Sequence, residues 1–354
     1  MQQKIQLSPE GAVVIPYNRL VANPDSLQEA IAKGFGSDPS CLGLIIISDL
    51  PEDFKWLRER LMLLGDEFAS LPESIREKYA DERRNNERQT RSICIFLANP
   101  CPRIDIFVDF LKGSFYANPI LDEANVGLDQ IIEFPEYYSR NIWPVEPDVW
   151  DFEEAFKGLG RFVFRVGREL ANACQSFAAS HLVDQAIPLA DLISPNTTKA
   201  RLLHYFPPPL EKLPKEDEPF DSWCGFHLDH SLLTGLCSAM YLYHGENGTR
   251  KICSAPSPQS GLYIKTRGGD LIKVSIPPNC LAFQTGEALE LATNGKLRAT
   301  PHCVRVGGGP HAEQISRETF AVFMQPDSDV QIGPSDTFGS FSKRVLSEHY
   351  NIPS

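Results

Sequence analysis

The sequence predicts a mixed α and β chain: an antiparallel β-sandwich or jelly roll in the second half, a helical N-terminal region before it and a C-terminal helix after it. Three observations carry this prediction. About eight short strand patterns follow Asn196, separated by turns rich in proline and glycine such as Pro207-Pro208-Pro209, Gly268-Gly269-Asp270 and Gly307-Gly308-Gly309. A β-α-β pattern opens the chain. A long amphipathic stretch runs from Val149 to about His181, with Phe152, Phe156, Leu159, Val163, Val166 and Leu170 at helical spacing.

In chain order, Ala12 to Pro16 reads as a short strand. Ser26 to Lys33 reads as a helix, with Asp25 or Ser26 as cap and Gly34 as stop, and Gly43 to Ser48 as a buried strand. Glu52 to Ser70 carries Phe54, Leu57, Leu61, Leu64 and Phe68 on one helical face, and Leu71-Pro72 ends it before a shorter helix reaching Tyr79. Lys112 to Pro119 and Asn141 to Pro147 read as loops with aromatic anchors. The later strand patterns are Ala200–Phe206, Phe226–Thr234, Ala239–Tyr243, Leu262–Lys265, Leu271–Ser275, Cys280–Gln284, Thr300–Val306 and Glu318–Met324, and a last helix is expected over Asp336 to His349. The expected divisions are an N-terminal α/β region over 1–148 with an atypical segment near 84–111, a long supporting helix in 149–195, a jelly-roll domain over 196–330 and a C-terminal helix in 331–354.

Composition narrows the partners. The 354 residues carry 34 Lys and Arg against 46 Asp and Glu, a formal charge of −12, and no basic stripe exists to follow a phosphate backbone, so nucleic acid is not expected as a partner. The longest apolar stretch, Leu42 to Ile47, falls far below the roughly 20 residues that cross a bilayer, so no membrane partner and a cytoplasmic location are expected. Nine cysteines without a Cys-x-x-Cys pair read as reduced, mostly buried thiols. The sequence says nothing of oligomeric state.

A non-haem iron site needs two imidazoles and a carboxylate on one face of the metal. With 8 histidines and 46 acids in the chain, about one His-x-acid match arises by chance. There are three: His227-x-Asp229, His244-x-Glu246 and His311-x-Glu313. His244 sits in residues suited to a turn and His311 follows three glycines and a proline. His227-Leu228-Asp229 precedes Ser231-Leu232-Leu233-Thr234, which can be an inner strand that puts both side chains on one face.

The run His227 to Leu236 resembles the first metal motif of the 2-oxoglutarate/Fe(II)-dependent dioxygenases, the isopenicillin N synthase-like family. The block from Asn279 to Val304, with Ala299-Thr300-Pro301-His302, is similar to the family's second-histidine block, and Arg317-Glu318-Thr319 with Pro326 resembles its Arg-x-Ser motif. The likeness covers roughly Ala12 to Tyr79 and Asn196 to Pro326. It implies a double-stranded β-helix (jelly-roll) core, with His227, Asp229 and His302 as catalytic metal ligands for Fe(II). It also implies Arg317 and Thr319 on the distal carboxylate of 2-oxoglutarate, with Tyr205 in the same pocket. The implied activity is O2-dependent oxidation of a C–H bond in a small-molecule substrate, by hydroxylation, desaturation or a related reaction, with release of succinate and CO2.

Where the family has Asn-Tyr-Tyr-Pro this chain has His204-Tyr205-Phe206-Pro207, which places His204 and Phe206 at cosubstrate positions. That departure keeps open a same-fold oxidase that does not use 2-oxoglutarate. A catalytically inactive jelly-roll binding protein is the alternative from another class. His204 and His230 read as packing or supporting residues rather than ligands. Trp223, Phe226 and Phe115 are aromatic candidates for the pocket wall, core packing being the commoner role.

Overall fold

The computed structural model describes residues 4–79, 112–210, 225–305 and 307–350, with the backbone of Cys94–Ile95. Trp223 and, apart from that dipeptide, the atypical segment 84–111 lie outside the described residues.

In order, the chain forms β1 (Gln6–Leu7), β2 (Val13–Pro16), α1 (Gln28–Phe35), β3 (Leu44–Ser48), α2 (Asp53–Ala69), β4 (Cys94–Ile95), β5 (Lys112–Ala117), α3 (Phe152–Ala178) and β6 (Lys199–Tyr205). There follow β7 (Leu233–Cys237), β8 (Met240–His244), β9 (Arg250–Cys253), β10 (Gly261–Lys265), β11 (Leu271–Val274), β12 (Leu281–Thr285), α4 (Glu287–Ala292), β13 (His302–Arg305), β14 (Ile315–Met324) and α5 (Phe338–Tyr350). A large sheet has the order β1-β2-β3-β12-β7-β14-β6-β5-β4, with β8 and β9 branching from β14, and β11-β10-β13 form a second sheet. This is the jelly-roll arrangement expected.

The large sheet is covered on one face by α2 and α3. β3 is a run of Leu44, Ile45, Ile46 and Ile47, buried throughout because β2 and β12 flank it and side chains leave both faces into apolar layers. α3 presents Phe156, Leu159, Val163, Val166 and Leu170, all fully buried. Gly167 on the helix and Gly235 on β7 let helix and sheet close: a Cβ on the first would run into Met324, on the second into Val163.

Two expectations need correcting. Lys112–Pro119 is not a loop, since its first six residues are β5, paired with β6 from Lys112↔Tyr205 to Ala117↔Ala200. Gly113 and Ala117 hid the alternation that Phe115 anchors, and Phe115 is fully buried against Phe152 and Phe156, in the core rather than at a pocket. Phe226–Thr234 is not a strand either. Only His227 makes a bridge there, and the regular strand starts at Leu233. Phe226 is exposed.

The strand that leaves the metal motif is interrupted between β7 and β8 at Ser238-Ala239. Arg58 of α2, itself buried, fills the break: its Nε and Nη2 donate to the Ser238 carbonyl at 3.0 and 2.8 Å, and Nη2 donates to the Ala239 carbonyl at 3.0 Å. Charge-assisted bonds of this kind are worth about 1.5–3 kcal/mol each, and removing the donor strands the carbonyls. Arg58→Ala is expected to lower the unfolding free energy by about 3 kcal/mol, read as an earlier denaturant midpoint at unchanged slope. An unchanged midpoint would show that the break is held by something else.

Candidate active site

His227 and His302 are joined by backbone: each N–H donates to the other's carbonyl at 3.1 Å, tying the loop before β7 to the start of β13. Their rings lie 4.3 Å apart between centroids. His227 Nδ1 donates to the Gly225 carbonyl at 2.9 Å and His302 Nδ1 to the Thr300 carbonyl at 3.0 Å. A proton held on Nδ1 leaves the Nε2 lone pair for a metal. Both Nε2 atoms face Asp229 Oδ1, at 3.8 and 3.9 Å, and the three ligand atoms lie within 4.8 Å of one another.

The loop that carries Asp229 is fixed by the start of α4. The Glu287 N–H donates to the Asp229 carbonyl at 2.8 Å and the Gly286 N–H to the Leu232 carbonyl at 3.0 Å. A Cβ at Gly286 would collide with the Ser231 carbonyl oxygen, so glycine is required for that approach.

Burial by itself would push the Asp229 carboxyl up, but the imidazoles of His302 and His227 and the Thr234 hydroxyl hold it below the usual carboxylate range. Burial pushes His302 below the ordinary imidazole value, against the pull of Asp229, which favours the neutral ring that coordinates. Asp229 Oδ2 is buried and has no hydrogen-bond partner among the described residues. An orphaned carboxylate oxygen beside two imidazoles with inward lone pairs fits a divalent cation, and two nitrogens with one carboxylate fit Fe(II).

These residues line one end of a cavity of about 310 Å³ between the two sheets. Arg317, Thr319 and Tyr205 line the same cavity. Arg317 is 6% exposed, lies opposite Tyr205 in the β14–β6 register and stacks over that ring at 4.9 Å. Its Nε and Nη1 are buried without a hydrogen-bond partner among the described residues. A buried guanidinium in this state is costly unless an anion meets it, and its fork matches a carboxylate.

His204 and Phe206 do not stand at the cosubstrate position. Arg201, Leu203 and Tyr205 face the cavity, whereas His204 points through the sheet to the α2 side and packs on Phe206 at 4.3 Å. There His204 Nδ1 donates to Glu318 at 2.8 Å, and Asp66 of α2 ion-pairs with His244 at 3.2 Å and Arg250 at 2.8 Å. Burial raises the Glu318 carboxyl above its ordinary range, opposed by His204; Asp66, under the same penalty, is held low by His244, His204 and Arg250. Because Glu318 adjoins Arg317 on β14, this network braces the cavity wall from behind. Removing one partner of a buried side-chain hydrogen bond costs about 1–3 kcal/mol. Glu318→Ala is expected to destabilise the fold by about that much in equilibrium unfolding, and a change under about 0.5 kcal/mol would refute the bracing role.

Of the remaining histidines, His230 donates to Glu287 at 2.8 Å, a supporting contact, and His311 lies in a turn with positive φ. Asp66 and Arg250 were missed in the sequence. The available signal was an acid at position 66, four residues after Met62 and three before Ala69, both buried on the inward face of α2.

No protein-family model matches the chain. A 2OG-Fe(II) oxygenase family protein from Caulobacter crescentus superposes with a TM-score of 0.67 over 98% of this chain and 100% of its own, at 17% identity. A full-length protein of Neurospora crassa, solved in complex with alpha-KG, does so with a TM-score of 0.64 over 97% and 94% of the two chains, at 19% identity. The chain has the fold of the 2OG-Fe(II) oxygenases. Among curated proteins, the barley (Hordeum vulgare) 2'-deoxymugineic-acid 2'-dioxygenase is 31% identical over 83 residues, 23% of this chain and 23% of that one. The matched stretch is thus under a quarter of that relative's length. In this oxygenase fold no helix among the described residues is long and apolar enough to cross a membrane.

Proposed function

We propose that the protein is an Fe(II)- and 2-oxoglutarate-dependent dioxygenase that oxidises a C–H bond of a small organic substrate. The observation that carries the reading is the buried Arg317 guanidinium opening into the same cavity as His227, Asp229 and His302. The three ligands would hold Fe(II), leaving the site with a net charge of +1 that attracts a 2-oxo acid. Fe(II) held by these residues would supply the O2- and 2-oxoglutarate-dependent oxidation that yields succinate and CO2. Arg317 takes the distal carboxylate as a fork, Tyr205 keeps the guanidinium in plane from below, and the Thr319 hydroxyl adds a hydrogen bond. Leu236, Val304, Ala321 and Phe323 form the dry wall that excludes water.

The catalytic unit in this proposal is residues 196–330, supported by 1–148, the helix within 149–195 and the C-terminal 331–354. The six free cysteines among the described residues, five of them buried, fit a reducing compartment, and a cytoplasmic location belongs to the proposal. Since His204 turns away from the cavity, the motive for an oxidase without 2-oxoglutarate falls away. Aerobic incubation with Fe(II), ascorbate and 2-oxoglutarate is expected to release succinate, slowly alone and faster with a substrate, and Asp229→Ala is expected to stop it. Oxygen consumption that ignores 2-oxoglutarate would overturn the reading.

A further inference from the structure

We propose that the substrate is a small organic acid whose carboxylate is received by Arg201; the inference rests on the cosubstrate reading of Arg317. The wall formed by β6 and β14 carries two guanidiniums in one row. Register pairs Tyr205 with Arg317, Leu203 with Thr319 and Arg201 with Ala321, and all six line the cavity. Arg201 is four residues from Tyr205, about 13 Å along the strand. The two carboxylates of 2-oxoglutarate are separated by only three carbons, so one cosubstrate does not engage both arginines.

Arg201 lies toward the metal ligands. Phe323, two residues beyond Ala321, pairs with Thr234, which stands five residues after Asp229 and lines the same cavity with it. Its guanidinium is positioned rather than loose: Nε and Nη2 donate to Ser114 Oγ at 3.0 and 2.8 Å, and the Tyr116 ring lies 5.1 Å below. Both positioning residues come from β5, the strand that the sequence did not reveal.

Charge points the same way. The described side chains lining the cavity supply three cations, Arg201, Lys273 and Arg317, against one carboxylate, Asp229. Cationic side chains facing a cavity attract an anion. One fork suits a monoanionic carboxylate, and the same cavity offers Leu203, Leu236 and Phe323 to an apolar body.

The test uses the full chain loaded with Zn(II) and saturated with 2-oxoglutarate. Matched pairs of small aromatic and aliphatic monocarboxylic acids and their primary amides are offered, and binding is read by ligand-observed NMR. Acids are expected to bind at least about tenfold more tightly than their amides. Arg201→Gln should level the pairs, Arg201→Lys should restore part of the preference, and Ser114→Ala, which keeps the charge but frees it, should weaken it several-fold. Acids that bind no better than amides, or a preference that survives Arg201→Gln, would overturn the inference alone. A wild-type protein that does not bind 2-oxoglutarate would overturn the underlying reading and this inference with it.

Discussion

Replacing His302 by alanine is expected to reduce Fe(II) affinity by more than about 100-fold, because losing a direct ligand exceeds the 10–100-fold typical of losing a residue that merely orients one. His302 is 6% exposed, its Nε2 is aimed at Asp229, and its Nδ1 proton is held by the Thr300 carbonyl, so no other donor in the described site takes its place. The readout is the metal-linked rise in stability. Wild-type protein at a metal concentration of about 100 Kd should gain about 2.7 kcal/mol of unfolding free energy, and the variant should gain less than about 0.4 kcal/mol. Mn(II) can stand in for Fe(II) in air. If the variant keeps the full metal-dependent shift, His302 is not a ligand, and the group of His227, Asp229 and His302 is only a buried polar cluster.

Arg317→Met separates binding from stability. Its apparent Kd for 2-oxoglutarate should rise at least about 100-fold, equal to about 2.7 kcal/mol, the scale of a lost charged fork. The ligand-free protein should become more stable, by about 1 kcal/mol, since an isolated guanidinium leaves a buried site and an apolar chain of similar length replaces it. A structural ion pair predicts the opposite sign: a destabilised fold and little change in ligand affinity. Chemical unfolding without ligand and calorimetric titration with 2-oxoglutarate under anaerobic conditions measure the two effects separately.

The sequence disclosed what rests on local pattern. Period-two alternation placed most strands of the second half within one or two residues, helical spacing placed α2 and α3, and the order of three motifs singled out five residues that the structure brings to one cavity with Tyr205. It failed where one residue of register decides a face. Placing His204 and Phe206 toward the cosubstrate alongside Tyr205 asks three successive residues to share one face, and strand alternation leaves only Tyr205 there. It failed also where partners lie far apart in the chain. Arg58 meets Ser238 and Asp66 meets Arg250 across 180 and 184 positions, and nothing local marks either pair. The loop bearing His227 and Asp229 reads as a strand because its apolar run continues into β7, whereas hydrogen bonds from Gly286 and Glu287 hold it in another shape.

The central claim is that one cavity holds a metal through His227, Asp229 and His302 and a 2-oxo diacid through Arg317. An anaerobic titration of the Fe(II)-loaded protein with 2-oxoglutarate, followed through the visible metal-to-ligand charge-transfer band, tests it in one measurement. The account predicts a band that saturates in the wild type, needs far more 2-oxoglutarate in Arg317→Met and is absent in His302→Ala. Bound iron with no band at any 2-oxoglutarate concentration, or a band indifferent to Arg317, would contradict it.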